Sequence, residues 1–85
     1  MYKVIDKQKP ATTVTLLKLQ APEIARKVRP GQFVIIRLNE PGERIPLTVN
    51  NFDREEGTIT IVFQEVGKTT TMLGRLNPGD GIADL

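Results

Sequence analysis

Along the chain the apolar residues recur mostly at every second position: Val4 in YKVIDKQ, then the runs TVTLLKLQ, QFVIIRLN, IPLTVN and GTITIVFQEV. Period two is the spacing at which a strand sends alternate side chains to one face. Val, Ile and Thr dominate these runs and suit a pleated, half-buried surface. The intervals carry proline or glycine, in KPATT, RPGQ, EPGER, REEGT and NPGDG, where turns are expected. Short strands at turn-marked intervals predict an all-β fold, an antiparallel barrel or sandwich. Two stretches leave this rhythm. APEIARKV, residues 21–28, places Pro22 near a helix start, Glu23 in the first turn and basic residues toward the end, which fits one or two helical turns. GKTTTMLGRL follows the last long strand pattern, with threonines able to cap and Leu73 and Leu76 three apart. Near the end, LNPGDGIADL reads as a turn into a strand beginning near Ile82, so the domain is expected to be part of a longer protein.

Composition narrows the chemistry. The 85 residues fit one domain over 1–85, and a domain of this size buries about 60–65% of its unfolded surface. Cysteine and histidine are absent, which excludes disulfides, thiolate metal sites and an iron–sulfur cluster ligated within these residues, and leaves acid–base chemistry to Asp, Glu, Lys and Tyr. No catalytic or metal-ligating residue is assigned. Twelve Lys and Arg against ten Asp and Glu give a net charge of +2 without a basic block. MYKVIDKQKP has no apolar signal core, and no run approaches the roughly 18 residues of a membrane span, so a cytoplasmic protein without membrane contact is expected. Arg26, Lys27 and Arg29 read as a solvated face. Of Tyr2, Phe33, Phe52 and Phe63, at least two fall on core positions, leaving few rings for stacking on nucleic acid.

Three stretches bear on a binding site. EVGKTTT invites comparison with a phosphate-binding P-loop, but Val62 stands where that motif requires its first glycine. The local physics has two readings: amides near Gly67 to Thr70 left unpaired at a helix start attract phosphate, or Thr69 or Thr70 simply caps the helix. RIPLTVNN contains Pro46, which cannot donate to a ladder and so requires a sheet edge or a bulge. Thr48 then lies beside an irregularity of the kind that re-aims side chains at binding sites, or on a plain edge strand protected by proline. FDREEGT reads as a solvated hairpin tip with Gly57 at its turn, without function.

RPGQFVIIRL, RIPLTV and VFQEVGKTT, in this order, together resemble the flavin-binding barrel of the ferredoxin-NADP reductase superfamily. The likeness is to the branch containing the electron-transfer subunit of dihydroorotate dehydrogenase, the small subunit of NADH-dependent ferredoxin-NADP oxidoreductase (sulfide dehydrogenase) and archaeal sulfhydrogenase gamma subunits. It runs from Tyr2 to Leu85. The resemblance implies a six-stranded antiparallel Greek-key barrel with one or two short helices and a flavin along one side, FAD in preference to FMN. By resemblance Thr48 hydrogen-bonds the flavin near N5, and Leu47 takes the place of a ring-stacking tyrosine. The family's arginine position falls on Ile45. Arg44, one residue earlier, is then expected to serve the phosphates only through a bend at Pro46, because neighbouring strand residues face opposite ways. Val62, Phe63 and Gln64 match cofactor-contacting positions, Gln64 standing where arginine is frequent. Gly67, Lys68, Thr69 and Thr70 match the pyrophosphate-holding segment.

The resemblance also implies a nucleotide-binding domain for NAD(P) and a 2Fe–2S tail in the remainder of the protein. The expected function is therefore that of an FAD domain in an electron-transfer subunit moving electrons between NAD(P)H, flavin and iron–sulfur centres, inactive with NAD(P)H when alone. The expected partner is a larger iron–sulfur flavoprotein, dehydrogenase or hydrogenase subunit, with a homodimer through an unfinished barrel edge as another assembly. The competing class is a small barrel that binds nucleic acid or protein without a redox role.

Overall fold

The computed structural model describes residues 2–29, 31–38 and 42–83. In it the chain forms β1 (Tyr2–Ala11), β2 (Val14–Gln20), α1 (Pro22–Lys27), β3 (Phe33–Arg37), β4 (Arg44–Asp53), β5 (Thr58–Gln64), α2 (Lys68–Leu73) and β6 (Gly81–Ile82). The strands make one six-stranded sheet in the order β3-β4-β5-β2-β1-β6, with every pairing antiparallel. Placing β2 beside β5, with β3, β4 and β5 consecutive, is a Greek key. The Ala83 N–H donates to the Leu38 carbonyl at 3.2 Å, joining the β6 end of the sheet to the β3 end. The result is the expected nearly closed barrel.

Period two accounts for the core. Leu17 and Leu19 on β2, Ile59 and Ile61 on β5, Ile36 on β3 and Ile82 on β6 are fully buried, each worth about 1.5–3 kcal/mol relative to exposure. Ala21, Ala25 and Val28 from the α1 region and Leu73 from α2 enter the same cluster. Two strand limits differ from the sequence reading. β1 runs through Pro10 to Ala11, because the register shifts between Gln8 and Ala11 and a shifted stretch asks no ladder donation of proline. β4 continues through Asn50 and Asn51 to Asp53, carried by a further shift between Val49 and Asn51.

The hairpin tip expected to be merely solvated is what fixes α1. Six residues make too short a helix to hold itself, and no side chain caps its start at Ala21. Instead the Ala21 N–H donates to the Gly57 carbonyl at 2.9 Å. At the other end Arg54 lies over the Phe52 ring, 4.4 Å from its centroid, and its Nη2 donates to the Val28 carbonyl at 2.9 Å. A cation at the helix C-terminus is also favoured by the macrodipole. Gly57 adopts φ +72, and a Cβ there would lie 3.0 Å from the Pro22 Cβ. Gly57→Ala is therefore expected to lower the unfolding free energy by about 2–3 kcal/mol, combining left-handed strain with a clash. Gly31→Ala, at φ +81 with nothing within 4 Å, carries the strain alone and is expected to cost about 1 kcal/mol. Urea unfolding of the two variants checks the difference; equal costs would refute the contact with Pro22.

Candidate functional site

β4 changes partner along its length. From Arg44 to Thr48 it pairs with β3, and from Val49 to Asp53 with β5. The β4–β5 ladder ends at Val49↔Ile61, while β5 continues on β2 as far as Gln64↔Val14. Residues 44–48 and 62–64 therefore diverge and bound a cleft with main chain on both sides. The Val49 N–H donates to the Gln32 carbonyl, on the β3 side, at 2.8 Å. N–H groups alternate in direction along an antiparallel ladder, so the nitrogens of residues 45 and 47 also face β3 and that of Pro46 faces the cleft. Pro46 thus forfeits no ladder bond. The sequence required an edge or a bulge there; the structure uses the edge.

No bulge lies at Pro46. Register runs unbroken through Phe33↔Thr48, Ile35↔Pro46 and Arg37↔Arg44, and the irregularity lies beyond Val49. Arg44, Pro46 and Thr48 are exposed on one face, while Ile45 and Leu47 are half-buried on the other. Arg44 shares the face of Thr48 simply because they are four residues apart. Leu47 packs against the core cluster. Across the outer face Phe33 is 59% and Ile35 48% exposed, an apolar surface beside the Thr48 hydroxyl. On β5, Gln64 is exposed and Val62 half-buried, whereas Phe63 is 4% exposed in the core. A groove of about 530 Å³ between α1 and the β3–β4 pair has Ile24 and Ile35 in its wall, with Glu23, Lys27, Gln32 and Arg44 around them.

At the far side of the cleft β5 leads into α2. The Thr70 hydroxyl accepts from the Gly67 N–H at 3.0 Å and the Val66 N–H at 3.1 Å, and donates to the Gly67 carbonyl at 3.2 Å. Thr70 is therefore a cap, and the Gly67 amide, expected to be open, is occupied. The N–H groups of residues 68–70 belong to the first turn, where no helical carbonyl lies within reach. Gly67 has φ −135, ψ 179, a conformation any residue adopts, and a Cβ there would meet only the Thr70 Oγ1 at 3.9 Å. The fold itself does not require glycine, and the space beside it is open to a ligand. The Thr69 hydroxyl donates to Glu43 at 2.6 Å, which brings the 67–70 segment to the start of β4 and so to Arg44.

Sequence reasoning passed over Glu65, Gly74 and Glu43. Glu65 Oε2 accepts from Lys9 Nζ at 2.8 Å and from Thr15 Oγ1 at 2.6 Å, and Thr15 is fully buried. The partners lie 56 and 50 positions away, so no local spacing could have marked the contact. The Lys9 hydrogen bond foremost, then that from Thr15, holds the Glu65 carboxyl below its ordinary value of 4.5, against the opposing effect of desolvation. Among the described residues no group of three or more His, Cys, Asp or Glu could hold a metal, and no helix is long and apolar enough to cross a membrane.

A nearly closed six-stranded antiparallel barrel, split between β4 and β5 and with a short helix between β5 and β6, is the architecture of the ferredoxin reductase-like class. The structure of an NADH-dependent reduced ferredoxin-NADP oxidoreductase, reported for its flavin-based electron bifurcation, matches with TM-score 0.95 and 44% identity over 99% of this chain and 30% of that one. The chain is 45% identical, over its whole length, to a dihydroorotate dehydrogenase B (NAD(+)) electron transfer subunit homolog of Thermotoga maritima. It is 32% identical over 79% of its length to the sulfhydrogenase 1 subunit gamma of Pyrococcus furiosus. An uncharacterized protein in the adh 3' region of Clostridium beijerinckii is 48% identical over 99% of the chain. The chain is thus a barrel domain homologous to part of these electron-transfer subunits, as its sequence resemblance implies. It spans 23–30% of the length of these relatives. No family model matches it.

Two outcomes test the site's framework. Thr70→Val removes the acceptor of two amides and is expected to cost about 1 kcal/mol, whereas Thr69→Val, whose bond is exposed, is expected to change stability by less than about 0.5 kcal/mol. Equal effects in chemical denaturation would refute Thr70 as the cap. For Glu65 the lowered carboxyl means that its stabilisation is fully present above 4.5 and is lost as pH falls through the lower folded-state value. Thermal unfolding between neutral pH and the acid limb is expected to lose this component in Glu65→Gln; an unchanged acid limb would contradict it.

Proposed function

We propose that this chain is the FAD-binding barrel of an electron-transfer subunit, with the flavin ring on the outer face at Thr48 and the pyrophosphate at the 67–70 segment. The observation that carries the reading is the cleft where β4 leaves β5, which has Thr48 on one wall and Gly67, with its open side, at the end of the other. The Thr48 hydroxyl would bond the flavin near N5, with Pro46, Phe33 and Ile35 offering apolar surface around it. Leu47 would support that wall from within, and Arg44 would lend positive charge from the same face. Val62, Phe63 and Gln64 would meet the cofactor chiefly through main chain, and Lys68, Thr69 and Thr70 would hold the phosphates with Gly67. Glu43, now bonded to Thr69, would release that hydroxyl to a phosphate oxygen. A bound flavin supplies hydride uptake and single-electron release, while the protein orients it and tunes its surroundings.

In the whole protein we assign the domain to electron transfer between NAD(P)H, flavin and iron–sulfur centres, within a complex that includes a larger oxidoreductase subunit. The named relatives support this over a binding module without redox role. A second copy at the β6 edge is the less favoured assembly, since the Ala83 N–H is already bonded to Leu38.

The test is a titration of the protein with FAD, FMN and riboflavin, followed by absorbance and fluorescence. FAD is expected to bind in preference to riboflavin. Gly67→Val should remain folded and lose at least about tenfold in FAD affinity, roughly 1.4 kcal/mol. Thr48→Val should bind with an altered flavin spectrum. A folded protein that binds none of the three flavins refutes the reading.

A further inference from the structure

We infer that Glu65 is the positioning residue for the 65–70 segment and that Gly74 is small in order to leave room for its carboxylate. The inference rests on the flavin reading above and adds a residue that touches no part of the ligand.

Glu65 is tied to the barrel twice. Its N–H donates to the Thr13 carbonyl at 2.7 Å, and its carboxylate binds Thr15 on β2 and Lys9 on β1. The side chain is only 13% exposed, and the fully buried Thr15 gives its hydroxyl hydrogen one fixed acceptor. A carboxylate this little exposed is favoured by a neutralising partner close by. Lys9 does this, with Lys7 contributing at longer range; both lie on β1, β2 adds the uncharged Thr15, and α2 presents Gly74.

Gly74 explains how the carboxylate reaches this place. It is buried and ends α2 at φ −68, ψ −12, a conformation open to every residue, so its backbone does not call for glycine. A Cβ at this position would nevertheless overlap the Glu65 carboxylate, 2.7 Å from Oε2. α2 thus rests its C-terminal glycine on the same carboxylate that fastens the segment leading into it. The helix has six residues and too few internal bonds to hold its own position. The Val66 and Gly67 amides are then set by Thr70 relative to a frame already fixed at Glu65. Displacing the carboxylate moves the segment that reads phosphate and leaves the Thr48 face on β4 untouched.

The experiment measures FAD and riboflavin affinities side by side for the parent protein, Glu65→Ala and Gly74→Ala, at a temperature where circular dichroism shows each to be folded. In both variants FAD affinity is expected to fall about tenfold, the equivalent of one charge-assisted hydrogen bond, with riboflavin affinity unchanged. Glu65→Gln, which keeps the acceptor and the shape, should recover part of the FAD affinity. Should Glu65→Ala fail to fold, Gly74→Ala carries the test, since alanine favours the helix. Variants that keep the parent's FAD-to-riboflavin ratio, or lose both ligands equally, overturn the role of Glu65 while leaving the flavin reading intact. A parent protein with no preference for FAD over riboflavin overturns both.

Discussion

The site depends on one change of partner in the sheet. β4 spends its first half on β3 and its second on β5, with the register shift beyond Val49 as the switch point. A sheet closing into a small barrel needs strands that turn such corners, and each corner leaves main-chain groups on two strands facing a gap. Here that gap is lined by Pro46 on one side, whose missing N–H would otherwise have pointed into it. The same switch places Thr48 at the rim and leaves Phe33 and Ile35 exposed beside it. Had β4 stayed on β5 throughout, the ladder would have filled the space and required the donor that proline lacks.

The two short helices are held from outside themselves, by contacts distant in sequence. Arg54 and Gly57 hold α1 from the β4–β5 hairpin, and Glu65 holds the approach to α2 through β1 and β2. Such helices gain little from propensity, so side chains and carbonyls from neighbouring strands decide where they lie. Within 85 residues the strands thus form the barrel, and single polar contacts from them hold the irregular segments at its rim.

The strands and turns were legible because period two and the Pro and Gly breaks are local signals, and Pro46 announced an edge because a missing donor has the same meaning in any sheet. The family resemblance was legible too, resting on three ordered stretches whose residues lie on β3, β4 and the β5–α2 passage. The face that Arg44 shares with Thr48 becomes visible only in the unbroken register opposite Phe33, Ile35 and Arg37. The backbone at Gly67 does not call for glycine, since its φ of −135 suits any residue. At Gly74 an added Cβ would meet the carboxylate of Glu65, from the segment that leads into α2.

What the sequence by itself determined is therefore the all-β class, the alternation that builds the core, the positions of most turns and the kinship with flavin-dependent electron-transfer subunits. These follow from spacing and residue type, which act over a few neighbours or over ordered blocks. Only the tertiary structure decided where β4 changes partner, which side chains share its outer face and which contacts hold α1 and α2. Those depend on register between strands and on pairs such as Thr15 and Glu65, 50 positions apart, whose meeting is set by how the whole sheet closes.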